Sequence, residues 1–179
     1  KWLFKWLTLF LIKNKKLKKI LNQDQINKIV KRIAYQIHEK NSNESHIFLI
    51  GIKKNGYTLA NLINKELELI SQSFIKLNYL IINKKNPLDI IDSNFELDEM
   101  KNKSIVLIDD VLNSGKTLLY GVKFLLDIPL SNFNTVVLID RNHKKFPIKI
   151  DFKGISLSTS IDENVNVVFE KNNSFAIID

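Results

Sequence analysis

The chain has no cysteine, five glycines, three prolines and one methionine in 179 residues. Without a thiolate it can build no disulfide scaffold, zinc ribbon, iron–sulfur cluster or thiol nucleophile, and a reducing, cytoplasmic setting fits it best. Long apolar runs are missing too. Trp2 to Ile12 is apolar apart from Lys5 and Thr8, well short of the ~20 residues that span a bilayer. A lysine and asparagine cluster follows it where a signal peptide would need small residues at a cleavage site. Acidic residues are absent from the first twenty positions, which hold seven lysines. The formal charge of +8 is therefore a property of this leader, because residues 21–179 carry 20 basic against 19 acidic side chains, a net +1. A nearly neutral body gives no electrostatic footprint for a nucleic acid backbone. Residues 1–19 read as a basic, apolar leader, either disordered or a peripheral helix, and residues 20–179 as a single domain.

What is present is regular. Ile26, Ile29, Val30, Ile33, Ala34 and Ile37 recur at three- and four-residue steps, the stripe of a helix that Asn22 or Asp24 can cap. Ile47 to Ile50 is short and wholly apolar before Gly51, as in a strand buried on both faces. Further helices are expected over Tyr57–Ile70 and Leu118–Leu126, and strands over Phe74–Ile82, Ile105–Ile108, Thr135–Ile139, Val165–Phe169 and Phe175–Ile178. Strands alternating with helices predict an α/β fold, doubly wound around a mainly parallel sheet.

The chemistry concentrates after the third strand, in Asp109-Asp110-Val111-Leu112-Asn113-Ser114-Gly115-Lys116-Thr117. An apolar strand brings two carboxylates to its C-terminal edge, where open α/β sheets bind ligands. Adjacent acids repel each other and lose hydration, a cost that makes sense if they bind hydroxyls or a cation. The loop that follows opens a helix, so backbone amides, hydroxyls and the positive helix end can converge on a phosphate. Local propensity alone also accommodates a helix capped by Ser114 behind two acids that merely close a strand. The loop has neither the Gly-x4-Gly-Lys-Ser/Thr of a P-loop nor the Gly-x-Gly-x-x-Gly of a dinucleotide fold.

This cassette resembles the phosphoribosyl-pyrophosphate (PRPP) signature of the type I phosphoribosyltransferases. The resemblance runs over residues 20–179 and points to the bifunctional pyrimidine-operon attenuator and uracil phosphoribosyltransferase family. Arg32-Ile33-Ala34 in the opening helix, Gly51-Ile52-Lys53-Lys54-Asn55-Gly56, Leu138 to Ile148 with Asp140-Arg141-Asn142-His143, Asp151-Phe152-Lys153-Gly154 and Ser158-Thr159-Ser160 carry it in the family's order.

The resemblance implies the type I phosphoribosyltransferase fold with a small hood, and an enzyme that moves a phosphoribosyl group from PRPP to a nucleobase, a pyrimidine such as uracil, with release of pyrophosphate. It implies that Asp109 and Asp110 meet the ribose hydroxyls, that Asn113, Ser114, Gly115, Lys116 and Thr117 hold the 5′-phosphate, and that Lys53, Lys54, Asn55 and Gly56 hold the pyrophosphate. Arg141, His143 and Phe152 would belong to the nucleobase or hood region, Phe152 either stacking on a base or packing against the sheet. His143 would orient a ligand or the hood, beside a tie from Asp140 to Arg141 or to backbone. Mg²⁺ is expected, held mainly by PRPP, with no protein-built metal site, since His38, His46 and His143 lack ligand spacing. A homo-oligomer is expected. RNA binding by a regulator of pyrimidine genes is the alternative, which the neutral body does not favour. Two departures stand out: the family's Thr-Arg pair is replaced by Lys54-Asn55, which loses an arginine fork, and its acidic flexible loop by Asn83-Lys84-Lys85-Asn86-Pro87.

Overall fold

A computed structural model describes residues 17–83, 86–89, 91–160 and 163–179. The apolar leader segment Trp2 to Ile12, and Lys84 and Lys85 of the altered loop, lie outside the described residues. In chain order the elements are β1 (Lys18–Leu21), α1 (Gln23–Lys40), β2 (His46–Ile52), α2 (Asn55–Ile70), β3 (Phe74–Ile81), β4 (Asp92–Ser93), a 3-10 turn (Leu97–Met100), β5 (Ser104–Leu112), α3 (Lys116–Leu125), β6 (Asn132–Asp140), β7 (Phe152–Ser156), β8 (Val165–Val168) and β9 (Phe175–Ile178). Six strands form one sheet in the order β4-β3-β2-β5-β6-β7, parallel except for the antiparallel edge strand β4. The other three make a small antiparallel sheet, β1-β9-β8, which is the hood.

The central strand β5 shows why its sequence lacks alternation. Val106 and Ile108 pack into one apolar cluster with α1 and α2, while Ile105 and Leu107 pack into a second with α3. A strand covered on both faces must be apolar at every position. α1 starts in a reciprocal cap: the Asn22 side chain accepts from the Gln25 amide at 2.9 Å and the Gln25 side chain accepts from the Asn22 amide at 2.9 Å. Asn22, not Asp24, is therefore the cap. The stripe from Ile26 to Ile37 is buried as its spacing predicts, and each fully buried isoleucine contributes roughly 1.5–3 kcal/mol. The opposite end of the sheet is closed by polar groups, with Asn41 donating to the Ile37 carbonyl at 2.8 Å and accepting from Ser104 and Asn132. Among the described residues no helix is long and apolar enough to cross a membrane.

Three strands depart from the sequence reading, the short edge strand β4 (Asp92–Ser93) among them. β1 includes Lys18 and Lys19, which the leader boundary at residue 19 excluded. They pair with Ile178 and Ile177 of β9, so the folded part of the chain already includes Lys18. β7 was expected only as a matching motif, and it extends the sheet beside β6 through pairs from Val136–Phe152 to Asp140–Ser156.

Candidate active site

β5 carries Asp109 and Asp110 at its C-terminal end, where Asp109 lines a cavity beside the loop 113–117 and Asp110 meets Asn55, which also reaches β8 of the hood. Both are buried, 5% and 8% exposed. The Asp109 carboxylate accepts from the Asp110 amide at 3.0 Å. Asp110 accepts from the Asn55 side-chain amide at 2.9 Å, and the same Asn55 nitrogen donates to the Val167 carbonyl of β8 at 2.9 Å. Gly56 lets α2 begin directly against the acids, since a Cβ there would meet the Ile108 carbonyl oxygen at 2.7 Å and the Asp109 carboxylate at 3.2 Å. Asn55 and Gly56 are thus in contact with the acid pair. Lys53 sets its ammonium 3.6 Å from the centre of the Tyr79 ring, Lys54 is exposed at the start of α2, and the peptide between them is cis.

A small cavity of about 60 Å³ lies between Asp109 and the loop Asn113 to Thr117. Gly115 sits at φ +82°, the left-handed region, so glycine here is a backbone requirement. Lys116 and Thr117 open α3 behind Gly115, which stands at the N-cap in place of Ser114; the Ser114 hydroxyl accepts from the Lys116 amide at 3.3 Å. The loop is backed from behind by the segment after β6: the amides of Lys145 and Phe146 donate to the Ser114 carbonyl at 2.9 and 3.1 Å. A larger open cavity of about 670 Å³ lies at the β4 edge among Asp92 to Glu99 and Phe124, but neither the acid pair nor the loop lines it.

Arg141 and His143 turn toward the segment that leads into β8. Arg141 is 7% exposed, and its guanidinium donates to Asn113 Oδ1 at 2.7 Å, to Thr159 Oγ1 at 3.1 Å and to the carbonyls of Ser160 and Glu163. His143 Nε2 lies 2.6 Å from the Thr159 carbonyl oxygen. Asp140 makes the backbone tie and not the arginine tie: it accepts from the Asn142 amide at 3.0 Å and lies 3.5 and 3.3 Å from the Lys144 and Lys153 ammonium groups. Burial alone would push the Asp140 carboxyl up, but the Asn142 amide and the two lysines outweigh it and hold it below the ordinary carboxylate range. Phe152 takes the packing alternative. It pairs with Val136 and sits half-buried against the apolar cluster under α1 and α2. Two functional contacts had no signature in the sequence reading: the link from Asn55 to the hood, and the link from Arg141 to Asn113.

The comparison with known proteins decides the class. The family described as phosphoribosyl transferase domain matches residues 16–171. The chain belongs to the type I phosphoribosyltransferases. The bifunctional protein PyrR of Fusobacterium nucleatum is 34% identical over 165 residues, covering 87% of this chain and 93% of that protein. The protein of the same name from Caldicellulosiruptor saccharolyticus is 31% identical over 175 residues, covering 87% and 90%. Among solved structures, the hypoxanthine phosphoribosyltransferase of Trypanosoma cruzi superposes with a TM-score of 0.72 at 14% identity over 89% of this chain and 95% of that one. A hypoxanthine-guanine phosphoribosyltransferase from Bacillus anthracis gives 0.68 at 19% identity, covering 84% and 86%. At such identities the structural matches speak for the fold alone, and the fold is the phosphoribosyltransferase fold expected from the sequence.

Proposed function

We propose that this phosphoribosyltransferase transfers the phosphoribosyl group of PRPP to a ring nitrogen of a pyrimidine such as uracil and releases pyrophosphate. One observation carries the reading. A carboxylate, Asp109, and the loop Asn113 to Thr117 at the start of α3 border one cavity, with the Asn55-Gly56 turn against the same acid pair. The pyrimidine preference rests on the match to relatives named PyrR together with the motifs of the Asp140–His143 and Asp151–Gly154 segments.

In this mechanism the loop amides, Ser114 and Thr117 fix the 5′-phosphate, while Asp109 and Asp110 hold the ribose hydroxyls and favour positive charge developing on the sugar ring. The Asn55-Gly56 turn and Lys54 receive the departing pyrophosphate, where Lys54 supplies charge without a fork. The chain itself requires no covalent intermediate. The donor set fits Mg²⁺: two buried carboxylates with hard oxygens stand at the site. Asp109 and Asp110, directly or through water, would hold an ion coordinated chiefly by PRPP. When bound, Mg²⁺ neutralises the leaving diphosphate.

The test is pyrophosphate release from PRPP and Mg²⁺ over a panel of bases, with the double variant Asp109→Asn, Asp110→Asn as control. Uracil should give the highest kcat/KM, and the double variant should stay folded while PRPP binding falls. Unchanged PRPP affinity in the folded double variant would remove the site assignment. RNA binding that falls steeply with salt, without pyrophosphate release, would put the regulator in its place.

A further inference from the structure

Arg141 ends β6 with a buried guanidinium whose hydrogen bonds are divided between two parts of the chain. One nitrogen holds Asn113 Oδ1 in the phosphate loop, and the other two hold Thr159 Oγ1 and the carbonyls of Ser160 and Glu163, on the segment that leads into β8. All of these acceptors are neutral oxygens. A buried cation among neutral acceptors gains from an anion nearby, and the loop it braces is the one read above as the phosphate cradle. With its carbonyl oxygen committed to Arg141, the Asn113 side chain keeps its two N–H donors for that anion. The planar fork of arginine fixes the relative position of loop and hood in a way a point charge cannot.

We propose that Arg141 is a positioning residue that couples occupancy of the phosphate loop to the position of the hood. Resting on the PRPP reading, the inference gives Arg141 a part at that site. A phosphate in the loop fixes Asn113 and, through it, Arg141, and Arg141 holds Thr159, Ser160 and Glu163 on the segment that leads into β8, so that occupancy of the loop steadies the hood. By reciprocity a bound base raises PRPP affinity by the same factor.

The test is amide hydrogen exchange across Val165–Val168 in the full-length protein, measured without ligand and with PRPP and Mg²⁺ at concentrations saturating each variant, together with the KM for uracil. In the wild type PRPP should slow hood exchange by about tenfold, within the usual range of coupling between sites. Arg141→Gln should abolish the slowing and raise the KM for uracil more than it lowers kcat, and Arg141→Lys should recover part of it. Asn113→Ala, at an exposed position, leaves the Arg141-to-hood bonds in place, and should by itself speed ligand-free hood exchange. PRPP-induced slowing that persists in folded Arg141→Gln overturns the coupling. If Arg141→Gln does not fold, ligand-free hood exchange unchanged by Asn113→Ala overturns it. A wild type that binds no PRPP refutes the functional reading instead, and the ligand-free measurement on Asn113→Ala still decides whether loop and hood are tied.

Discussion

Gly115→Val separates the two demands made on the phosphate loop. At φ +82° an L side chain costs about 1–2 kcal/mol, and a β-branched one is stiffer still. The new Cβ would also stand 2.7 Å from Ile148 Cγ2, an overpacking that costs about 1–3 kcal/mol. These costs do not arise in the phosphate cavity: the added carbon meets the backing segment at Ile148 and Phe146, so the loop must swing away from the Lys145 and Phe146 amides that hold its Ser114 carbonyl. The melting temperature should fall by roughly 2–4 °C for each kcal/mol in a chain of this size. PRPP affinity should fall more sharply. Each charge-assisted hydrogen bond lost is worth about 1.5–3 kcal/mol, so losing two lowers affinity at least about a hundredfold. Calorimetric titration with PRPP and, separately, pyrophosphate reads the second effect, and thermal unfolding the first. Adding Ile148→Ala to Gly115→Ala should restore the packing share of stability relative to Gly115→Ala alone and leave the backbone share lost. Wild-type PRPP affinity in a folded, destabilised Gly115→Val would show that this loop is not the 5′-phosphate cradle; loss of pyrophosphate binding alone would mean that the two phosphate sites are exchanged.

Three further outcomes are expected. Asn55→Ala removes one hydrogen bond to a carboxylate and one to the Val167 carbonyl, a loss of about 2–4 kcal/mol, and denaturant unfolding should show it together with faster exchange in β8. Asp140, whose carboxyl is held below the ordinary range in the folded chain, contributes stability above its unfolded pKa and loses it as pH falls through the folded value; Asp140→Asn should flatten the acid limb of a stability-against-pH curve, and an unchanged limb would refute the assignment. Removing residues 1–16 should leave the melting temperature and turnover intact. Removing residues 1–21 takes away the partner strand of β9 and should lower both.

The helices and the central strands were legible because their signals are local. The Ile26-to-Ile37 stripe and the Asn22 and Gln25 cap lie within one stretch of chain, and the unbroken run at 105–108 reports burial on both faces of a single strand. β1 has no such signal. Lys18-Lys19-Ile20-Leu21 holds two apolar residues behind a lysine cluster, and what makes it a strand is the edge of β9 more than 150 residues away. β7 is similarly silent: only its place beside β6 makes Phe152–Ser156 extended, and that same place turns Phe152 into the core.

The site divides in the same way, which bears on how a substituted residue is read. Asp109, Asp110 and the Asn113–Thr117 loop follow one another in sequence, so a strand, a turn and a helix start suffice to assemble them. Asn55 acts across 112 positions and Arg141 across 18 to 28, and their roles depend on the hood being present. By sequence, Asn55 is a lost arginine fork in a pyrophosphate turn. In the folded chain its short amide reaches Asp110 and Val167 together, so one substitution both removes a cation that would grip pyrophosphate and adds a tie between the acid pair and the hood. Asn55→Arg should therefore raise pyrophosphate affinity and loosen β8 in the same protein. Comparing inhibition by pyrophosphate with hood exchange in that variant decides the point: gain of the first without the second would mean that the Asn55 bridge does not hold the hood.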